Sequence, residues 1–379
     1  MGRHDHPVQS PGPRTAQNKE LGSLAPIEDI IRDASNGRMV MLVDEEAGGG
    51  DWACLAIPAQ MATPDALDFM AGPGKGPMRL CLTPERWKQL GLRAPTDGDD
   101  HFDETENFVS IGMKDGCSSR GSSVDRASTI SVAIGSARHR DDIVTPGPVR
   151  VMMAREGGVL VRTGLGEAAV DIVRLAGLNP SGVICAFRNG DGSHARMTDI
   201  MSFAGEYGIN IGRVRDLVEF RYRHDRLVEK IADVPFASDY GGDWRLLTYR
   251  NKFDKSVVYA LVKGKVGSGP PTLVRFHAVS LFEDMMGQPG PGKRSLQRAM
   301  LAISKAGSGV IVLTVPPSGA RAADLTWRSE LGLHANAIGA QILADLDIYD
   351  LIMLTKEPEV IAAGDLGAKV VGQQTLSAF

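Results

Sequence analysis

The sequence predicts a two-domain soluble protein of the α/β class, with an α+β first domain and an α/β second domain. The chain has 379 residues, and at roughly 100–200 residues per domain this length suits two or three domains with sizeable cores. In the second half, short apolar segments alternate with segments of helical periodicity, which is the pattern of a sheet layered with helices. A hydrophobic content of 43% and a charged content of 23% exclude wholesale disorder.

Residues 1–25 are predicted to form a disordered tail. This stretch is polar and has no apolar core of a secretory signal. No apolar run in the chain approaches the roughly 18 residues that a membrane span needs. The net charge of −4 gives no electrostatic reason to expect nucleic acid or an anionic membrane as a partner.

The first domain is predicted at residues 26–225. A helix is expected between Pro26 and Gly37, because apolar residues recur there at helical spacing. Thr63 and Thr83 each precede a proline, the pattern of a helix N-cap. Strands are predicted at residues 39–43 and 108–111, and a helix at residues 167–175. The predicted loops are a glycine-rich loop at 48–50, an acidic surface loop at 96–106 and a Ser/Gly loop at 118–123.

The second domain is predicted at residues 232–379. Charged residues crowd positions 221–230, where we expect a helix-like stretch that ends before Pro235, and the domain boundary is placed there. Beyond the boundary, strands alternate with helices. The predicted strands occupy residues 257–262, 272–276, 310–315 and 351–354. The predicted helices occupy residues 295–305 and 337–346.

Four cysteines, at positions 54, 81, 117 and 185, all lie in the first half of the chain. None of them forms a close pair, so neither a zinc knuckle nor a disulfide framework is predicted. Scattered cysteines without an export signal indicate the cytoplasm. The second half cannot build a thiolate metal site, because no cysteine follows Cys185.

Six segments of the first half share their order and spacing with a known family. They are Gly37-Arg38-Met39-Val40, Ala62-Thr63-Pro64, Leu82-Thr83-Pro84-Glu85-Arg86, Asp125-Arg126-Ala127, Arg155-Glu156-Gly157-Gly158-Val159-Leu160 and Glu167-Ala168-Ala169-Val170-Asp171. Residues 26–222 resemble 3,4-dihydroxy-2-butanone 4-phosphate synthase, an enzyme of riboflavin biosynthesis that acts on ribulose 5-phosphate. The resemblance implies an α+β fold.

The second half is similar, more weakly, to GTP cyclohydrolase II. The segments that carry this similarity are Leu261-Val262-Lys263-Gly264, Val274-Arg275-Phe276-His277, Ile338-Gly339-Ala340-Gln341 and Leu354-Thr355. The whole chain therefore resembles the bifunctional fusion of the two enzymes, in the same order.

The synthase reaction rearranges a ketopentose phosphate. Such chemistry needs carboxylates and imidazoles to move protons, and a divalent cation to polarise oxygen atoms. The resemblance implies a metal-binding glutamate at Ala47, while a nearby acidic position survives as Asp51. It also implies a metal-binding histidine at Leu165, a further histidine at Pro148 and a catalytic glutamate at Ala186.

Five polar residues of the first site persist. Asp51, Asp125 and Glu167 are remnants of the catalytic set, and Arg126 and Arg162 are candidates to bind the substrate phosphate bidentately. An equal alternative is that Asp125 and Arg126 pair with each other or cap a helix. No metal site is predicted from these residues, and magnesium would be the cofactor if the first domain were active.

The second site loses the zinc ligands that the resemblance implies. GTP cyclohydrolase II is a zinc hydrolase with three cysteine thiolates, and these positions fall on Ser280 and within residues 290–292. Serine is a poor zinc ligand and glycine has no side chain, so zinc is not expected. His277, His334 and Asp284 remain, and each histidine is interpreted as structural.

The guanine-binding positions of the second half are also altered. Arg321 is a remnant of a nucleotide-binding arginine, the catalytic tyrosine falls near Asn336 and Ala337, and an Asn-Asn-Pro motif reads Lys356-Glu357-Pro358. Guanine recognition and GTP hydrolysis are therefore not expected.

The leading hypothesis is a catalytically degenerate member of the fusion family, a pseudoenzyme that is homodimeric through its first domain and binds a small phosphorylated ligand or a pathway partner. The first alternative is an active synthase in which Asp51, Asp125 and Glu167 replace the lost groups around magnesium. The second alternative is a nucleotide sensor formed by the second domain, which would bind GTP without zinc.

Overall fold

The chain divides into two units, Met1–Phe220 and Arg221–Phe379. The structure is a computed structural model that describes residues 23–45, 52–92, 109–115, 121–252, 255–267, 269–280, 283–284, 286, 294–314, 338–355 and 368–376. The glycine-rich loop at 48–50, Asp51 and the acidic loop at 96–106 lie outside these residues. No helix among the described residues is long and apolar enough to cross a membrane.

The first unit combines helices with one mixed sheet. Its helices are α1 (Ile27–Ser35), α2 (Pro64–Gly74), α3 (Pro84–Gln89), α4 (Ser123–Ile134), α5 (Leu165–Leu175), α6 (Met197–Tyr207) and α7 (Val214–His224), the last of which runs into the second unit. Its strands are β1 (Val40–Asp44), β2 (Trp52–Pro58), β3 (Lys75–Leu82), β4 (Val109–Met113), β5 (Ile143–Met153), β6 (Ser181–Phe187) and β7 (Ile211–Arg213).

The sheet of the first unit has the strand order β4-β5-β3-β6-β2-β1-β7. Strands β3 and β5 pair in parallel, as do β1 and β7, while the other neighbours are antiparallel. A mostly antiparallel sheet with helices packed on it is the α+β arrangement predicted from the sequence.

Alternating side chains of the strands build two apolar layers, because successive residues of a strand point to opposite faces. On one face, Met41 and Leu55 belong to the main core together with residues of α2, α4 and α6. On the other face, Leu42 and Ala56 lie against α1 and α5, whose Ala34 and Ile172 pack there. The sheet thus carries helices on both faces.

The predicted N-caps are confirmed at Thr63 and Thr83. The Oγ1 atom of Thr83 accepts a hydrogen bond from the Arg86 backbone N–H at 3.2 Å, and that of Thr63 accepts one from Ala66 at 3.2 Å. The buried Arg86 guanidinium then donates to the carbonyl of Ala133 at 2.7 Å. Since Ala133 lies in the last turn of α4, Arg86 satisfies a carbonyl at the end of that helix.

The second unit also has a seven-stranded mixed sheet, with the order β14-β13-β11-β12-β10-β9-β8. Its strands are β8 (Val228–Ser238), β9 (Gly242–Asn251), β10 (Val257–Lys263), β11 (Thr272–Ala278), β12 (Gly309–Thr314), β13 (Asp350–Thr355) and β14 (Lys369–Thr375), with helix α8 (Ser295–Ala306) and a helical segment at 338–345. Strands β11 to β14 are parallel and β8 to β10 antiparallel. The parallel half confirms the predicted α/β character.

Two expectations about local structure are wrong. Leu24 and Ala25, predicted to lie in the disordered tail, pair with Ile211 of β7. The stretch before Pro235 is not helical, because α7 ends at His224 and β8 continues through Pro235. Proline is tolerated in β8 because this strand lies at the edge of the sheet, where one side of the backbone has no ladder partner.

Candidate functional site

Helix α4 presents two of the predicted site residues at its N-terminus. Ser122 and Asp125 form a capping box: the Ser122 Oγ accepts from the Asp125 N–H at 3.1 Å, and the Asp125 Oδ2 accepts from the Ser122 N–H at 3.3 Å. Asp125 is buried in this role. The structure therefore favours the capping alternative for Asp125, because its carboxylate satisfies a backbone donor of the helix start.

Arg126, the next residue of α4, lies on the wall of a cavity of about 450 Å³. This volume is within the range of small-molecule sites. Arg150 of β5 also lies at the wall and is exposed, but it alternates with Val149 along the strand, so its side chain points to the opposite face of the sheet. The other described wall residues are glycine or apolar, and they are Ala71, Gly76, Pro77, Met78, Leu80, Ile130, Pro148, Val149 and Val183. The described wall therefore combines positive charge with apolar surface.

Arg126 carries an unsatisfied donor. Its Nε atom is buried and has no hydrogen-bond partner among the described residues. A buried donor without a partner is costly unless water or a ligand supplies an acceptor. Arg126 is thus prepared to hold an acceptor that enters the cavity.

The positive charge of the arginines also affects the pKa of Cys185, which lies next to a residue of the cavity wall. The Cys185 thiol lies 3.4 Å from the carbonyl oxygen of Gly76, a wall residue. Burial raises the pKa of Cys185 to about 11, and Arg126 and Arg79 act in the opposite direction. Arg79 is the register partner of Arg150 on the parallel strands β3 and β5. Several arginines are therefore gathered at this end of the sheet.

The N-terminus of α5 holds the other two persisting residues, Arg162 and Glu167. Glu167 is fully buried, and its Oε1 accepts from the Arg155 N–H at 3.0 Å and from the Arg162 guanidinium at 2.7 Å. Arg162 is not on the wall of the cavity described above. Arg162 therefore does not share this cavity with Arg126, and Glu167 is held through its Oε1, while its Oε2 has no partner among the described residues.

Three positions have unreactive side chains where the resemblance implies reactive ones. Pro148 lies on the cavity wall. Ala186 lies against the wall at Gly76, so closely that a Cβ on Gly76 would be 2.7 Å from the Ala186 Cβ. Leu165 is the first residue of α5. None of these three side chains can transfer a proton or bind a metal.

The magnesium site expected of an active synthase does not fit the described residues. Asp125 caps α4, and the Oε1 of Glu167 is engaged by Arg155 and Arg162, which leaves the buried Oε2 of Glu167 as a single oxygen without a partner among the described residues. Among the described residues, no group of three His, Cys, Asp or Glu side chains could hold a metal ion. Asp51 lies outside the part of the chain that the structure describes.

In the second unit, a polar network lies at the carboxyl end of β11. The buried His277 and Asp284 pair through Nε2 and Oδ2 at 2.9 Å, and the Ser280 N–H donates to the same carboxylate oxygen at 2.8 Å. The Ser280 Oγ accepts from the Glu283 N–H at 3.2 Å. His277 is buried and paired, which agrees with its interpretation as a structural residue, and Ser280 stabilises a turn. Arg321, His334, Asn336, Ala337, residues 290–292 and residues 356–358 lie outside the described residues.

Sequence reasoning missed Arg150 and the glycine at position 76. Arg150 interrupts an apolar strand next to Pro148, and a charged residue in such a strand was the available signal. The close approach of Gly76 to Ala186 has no sequence signal of its own, because it depends on the pairing of β3 with β6.

The fold and the site together define a two-domain α/β protein whose first unit has a cavity lined by arginine, glycine and apolar residues. Comparison with known families specifies this class further. Residues 28–220 match the family model of 3,4-dihydroxy-2-butanone 4-phosphate synthase, and residues 229–375 match that of GTP cyclohydrolase II. The chain belongs to the 3,4-dihydroxy-2-butanone 4-phosphate synthase family of riboflavin biosynthesis, with a GTP cyclohydrolase II-like second half.

Individual relatives extend over both units. A protein of Pseudomonas aeruginosa named 3,4-dihydroxy-2-butanone 4-phosphate synthase is 39% identical over 293 residues, 77% of this chain and 79% of its own length. The riboflavin biosynthesis protein RibBA of Aquifex aeolicus is 35% identical over 91% of this chain and 90% of its own length. RibBX of A. baumannii, described as a two-domain 3,4-dihydroxy-2-butanone 4-phosphate synthase, has a TM-score of 0.76 and 30% identity, covering 93% of this chain and 99% of that structure.

Proposed function

We propose that this protein is a catalytically degenerate member of its family that binds a small organic phosphate in the cavity of the first unit. The observation that carries the proposal is the chemistry of the described cavity wall. It offers the guanidinium of Arg126, with Arg150 nearby, and among the described wall residues there is no carboxylate or imidazole side chain. Such a wall can hold an anion but has no group to move a proton.

The loss of synthase activity follows from the groups that the reaction requires. Proton transfer by a positioned side chain contributes roughly 10²–10⁴-fold to a rate. Pro148, Leu165 and Ala186 stand where the resemblance implies two histidines and a glutamate. The surviving carboxylates of Asp125 and Glu167 accept hydrogen bonds from protein donors. Because the described residues do not fit magnesium, we route no step through a metal.

The arginines divide into two proposed roles. Arg126 contacts the phosphate, because it lies on the cavity wall and its buried Nε has no partner among the described residues, while Arg150 adds positive charge nearby. Arg162 is a positioning residue that holds the buried Glu167 and so fixes the start of α5. Arginine suits the first role because its planar donors match the oxygens of a phosphate group.

The second half is proposed to be inactive as a cyclohydrolase. No cysteine occurs after Cys185, so the three thiolates of a zinc site are missing. Ser280 is already engaged with the backbone of Glu283. The relatives from Pseudomonas aeruginosa and A. baumannii are likewise named for the synthase alone.

The competing function is an active synthase, and the names of the relatives favour it. The curated protein of Pseudomonas aeruginosa and the two-domain structure from A. baumannii both carry the synthase name. Under this alternative, Asp51 would have to complete a magnesium site together with Asp125 and Glu167. Release of formate from ribulose 5-phosphate in the presence of magnesium distinguishes the two functions, with the Pseudomonas protein as the positive control.

Anion binding is tested by ³¹P nuclear magnetic resonance. Inorganic phosphate titrated with the full-length protein should show exchange broadening that increases with protein concentration. Arg126→Gln should remove most of the broadening, and Arg32→Gln should not, because Arg32 is an exposed residue of α1 that pairs with Asp29. Equal broadening with the wild type and with Arg126→Gln would show that phosphate does not bind at Arg126 in the cavity.

We also propose that the protein is a cytoplasmic homodimer formed through the first unit, as its family resemblance implies. Sedimentation equilibrium should give about twice the 40.5 kDa mass of one chain. A mass of one chain at all accessible concentrations would contradict the dimer and leave the cavity proposal unaffected.

A further inference from the structure

We infer that the first unit has a second anion site, formed by the neighbouring arginines Arg79 and Arg150, and that it takes a multiply charged phosphate such as pyrophosphate. The site lies on the face of the sheet opposite the side chains of Val149 and Val151, which belong to the main core. The inference goes beyond the proposed function, because neither arginine is among the residues that the resemblance assigns to a site. It does not depend on binding at Arg126.

The pairing of β3 with β5 places the two arginines side by side. Arg79 and Arg150 are register partners on these parallel strands, and neighbouring strands lie about 4.8 Å apart. Register partners point to the same face of a sheet, so both guanidinium-bearing side chains leave the sheet together. Their next neighbours across the sheet are Ile184 on β6 and Ser110 on β4, neither of which is acidic. Like charges in such adjacent positions repel each other unless an anion lies between them.

Helix α5 begins beside the arginine pair on the same face of the sheet. A Cβ on Gly166 of this helix would lie 2.6 Å from the Met152 Cε and 3.3 Å from the Cys81 Sγ. Met152 and Cys81 each follow one of the arginines by two residues. Because strand residues alternate between faces, the arginines point to the face that α5 covers, about 6–7 Å further back along the strands. Arg150 is exposed and Arg79 is half-buried, so the pair is open to a ligand from solvent.

A third guanidinium leaves the region positively charged. Burial is the main cause that raises the pKa of Cys81 to about 12, and Glu167 adds to it. Arg79 and Arg162 act in the opposite direction, so all three charged residues lie near this thiol. The Oε1 of Glu167 is 2.7 Å from the Arg162 guanidinium. In the described part of this site, three guanidiniums including that of Arg150 therefore surround one carboxylate, and a multiply charged phosphate matches the excess in charge and in donor geometry.

Equilibrium dialysis of radiolabelled pyrophosphate against the full-length protein, without divalent metal ions, tests the inference. Arg150→Gln should weaken pyrophosphate binding by about tenfold or more, because it removes a charged hydrogen-bond donor. Arg150→Lys should lose less, because it keeps the charge and loses only the paired donors. Arg32→Gln removes the same charge from an exposed position on α1, and Arg126→Gln removes it from a helix on the other face of the sheet. Both should stay within about threefold of the wild type.

The outcomes separate this inference from the proposed function. Pyrophosphate binding that is lost in Arg126→Gln and kept in Arg150→Gln overturns the inference and leaves binding at the cavity standing. Undetectable binding of pyrophosphate by a wild-type protein that melts cooperatively also overturns it, whereas the proposed function is judged by the phosphate broadening that depends on Arg126. Equal losses in Arg150→Gln and Arg32→Gln overturn it as well, since they show nonspecific attraction to positive charge. A loss in Arg150→Gln alone, with a normal melting temperature, supports the site at the arginine pair whatever the result at Arg126.

Discussion

Replacing Arg126 with glutamine should weaken anion binding without destabilising the protein. The buried Nε of Arg126 has no hydrogen-bond partner among the described residues, and the residue lies on the cavity wall. A hydrogen bond to a charged group contributes about 1.5–3 kcal/mol, which corresponds to roughly 10- to 150-fold in Kd. Since Arg126 is only partly buried, we expect the lower part of this range, about 10- to 50-fold.

The effect on stability should be small, because the substitution removes a buried donor that lacks a partner. It also removes one positive charge from a region that contains Arg79 and Arg150. We therefore expect the unfolding free energy to change by no more than about 0.5 kcal/mol, or to rise slightly. Residues that bind ligands often lower the stability of the folded protein, and the unpartnered Nε of Arg126 is such a case.

The assay is titration with inorganic phosphate at low ionic strength, paired with urea unfolding of the same samples. Arg32→Gln is the matched control, since it removes the same charge from an exposed position on α1. The reasoning is refuted if Arg126→Gln and the wild type bind inorganic phosphate within twofold of each other. It is also refuted if Arg126→Gln costs about 2 kcal/mol or more of stability, because Arg126 would then be a structural residue.

Three further predictions concern stability. Burial raises the pKa of Cys185 from 9.0 to about 11, so the folded state keeps its proton where the unfolded state loses it. The contribution of this pKa shift to the unfolding free energy is fully present below pH 9 and is lost as the pH rises towards 11, at up to about 1.4 kcal/mol per pH unit. In urea titrations, the unfolding free energy of Cys185→Ala should decline less steeply over this range than that of the wild type. His277→Ala should cost about 2–4 kcal/mol, because it empties a buried position and leaves the Oδ2 of the buried Asp284 with the Ser280 N–H but without its histidine partner. A chelator should leave the melting temperature unchanged, and a loss of stability on chelation would point to a bound metal. Arg86→Met should cost about 2–4 kcal/mol by releasing the carbonyl of Ala133, and an effect below 0.5 kcal/mol would show that water replaces the guanidinium.

Much of the fold was predictable because local signals agree with it. A threonine–proline pair marks a helix start when the threonine hydroxyl accepts a hydrogen bond from the backbone N–H three residues later. Thr63 and Thr83 both make this bond. The alternation of strands and helices in the second half is confirmed by β10 to β13 and α8. Strand β8 was missed because its charges and Pro235 favour non-strand structure locally, while pairing with β9 decides the outcome.

The candidate site was predictable in residue type but not in arrangement. The sequence left open whether Asp125 belongs to the site or pairs with Arg126 or caps α4, because a carboxylate near a helix start suits each role, and its hydrogen bonds with Ser122 favour the cap. Arg126 and Arg162 both suit a phosphate, yet Arg162 pairs with Glu167 away from the cavity wall. Arg150 reaches the cavity through the pairing of β5 with β3, a contact between distant segments.

Formate release from ribulose 5-phosphate tests the central claim most directly. The full-length protein and the Pseudomonas aeruginosa relative are incubated side by side with ribulose 5-phosphate and magnesium, and formate is measured over time. Loss of acid–base groups predicts a rate at least roughly 10³-fold below that of the relative, and not above the protein-free control. Formate released at a rate comparable with the relative, in proportion to the substrate consumed, would contradict the account and establish an active synthase.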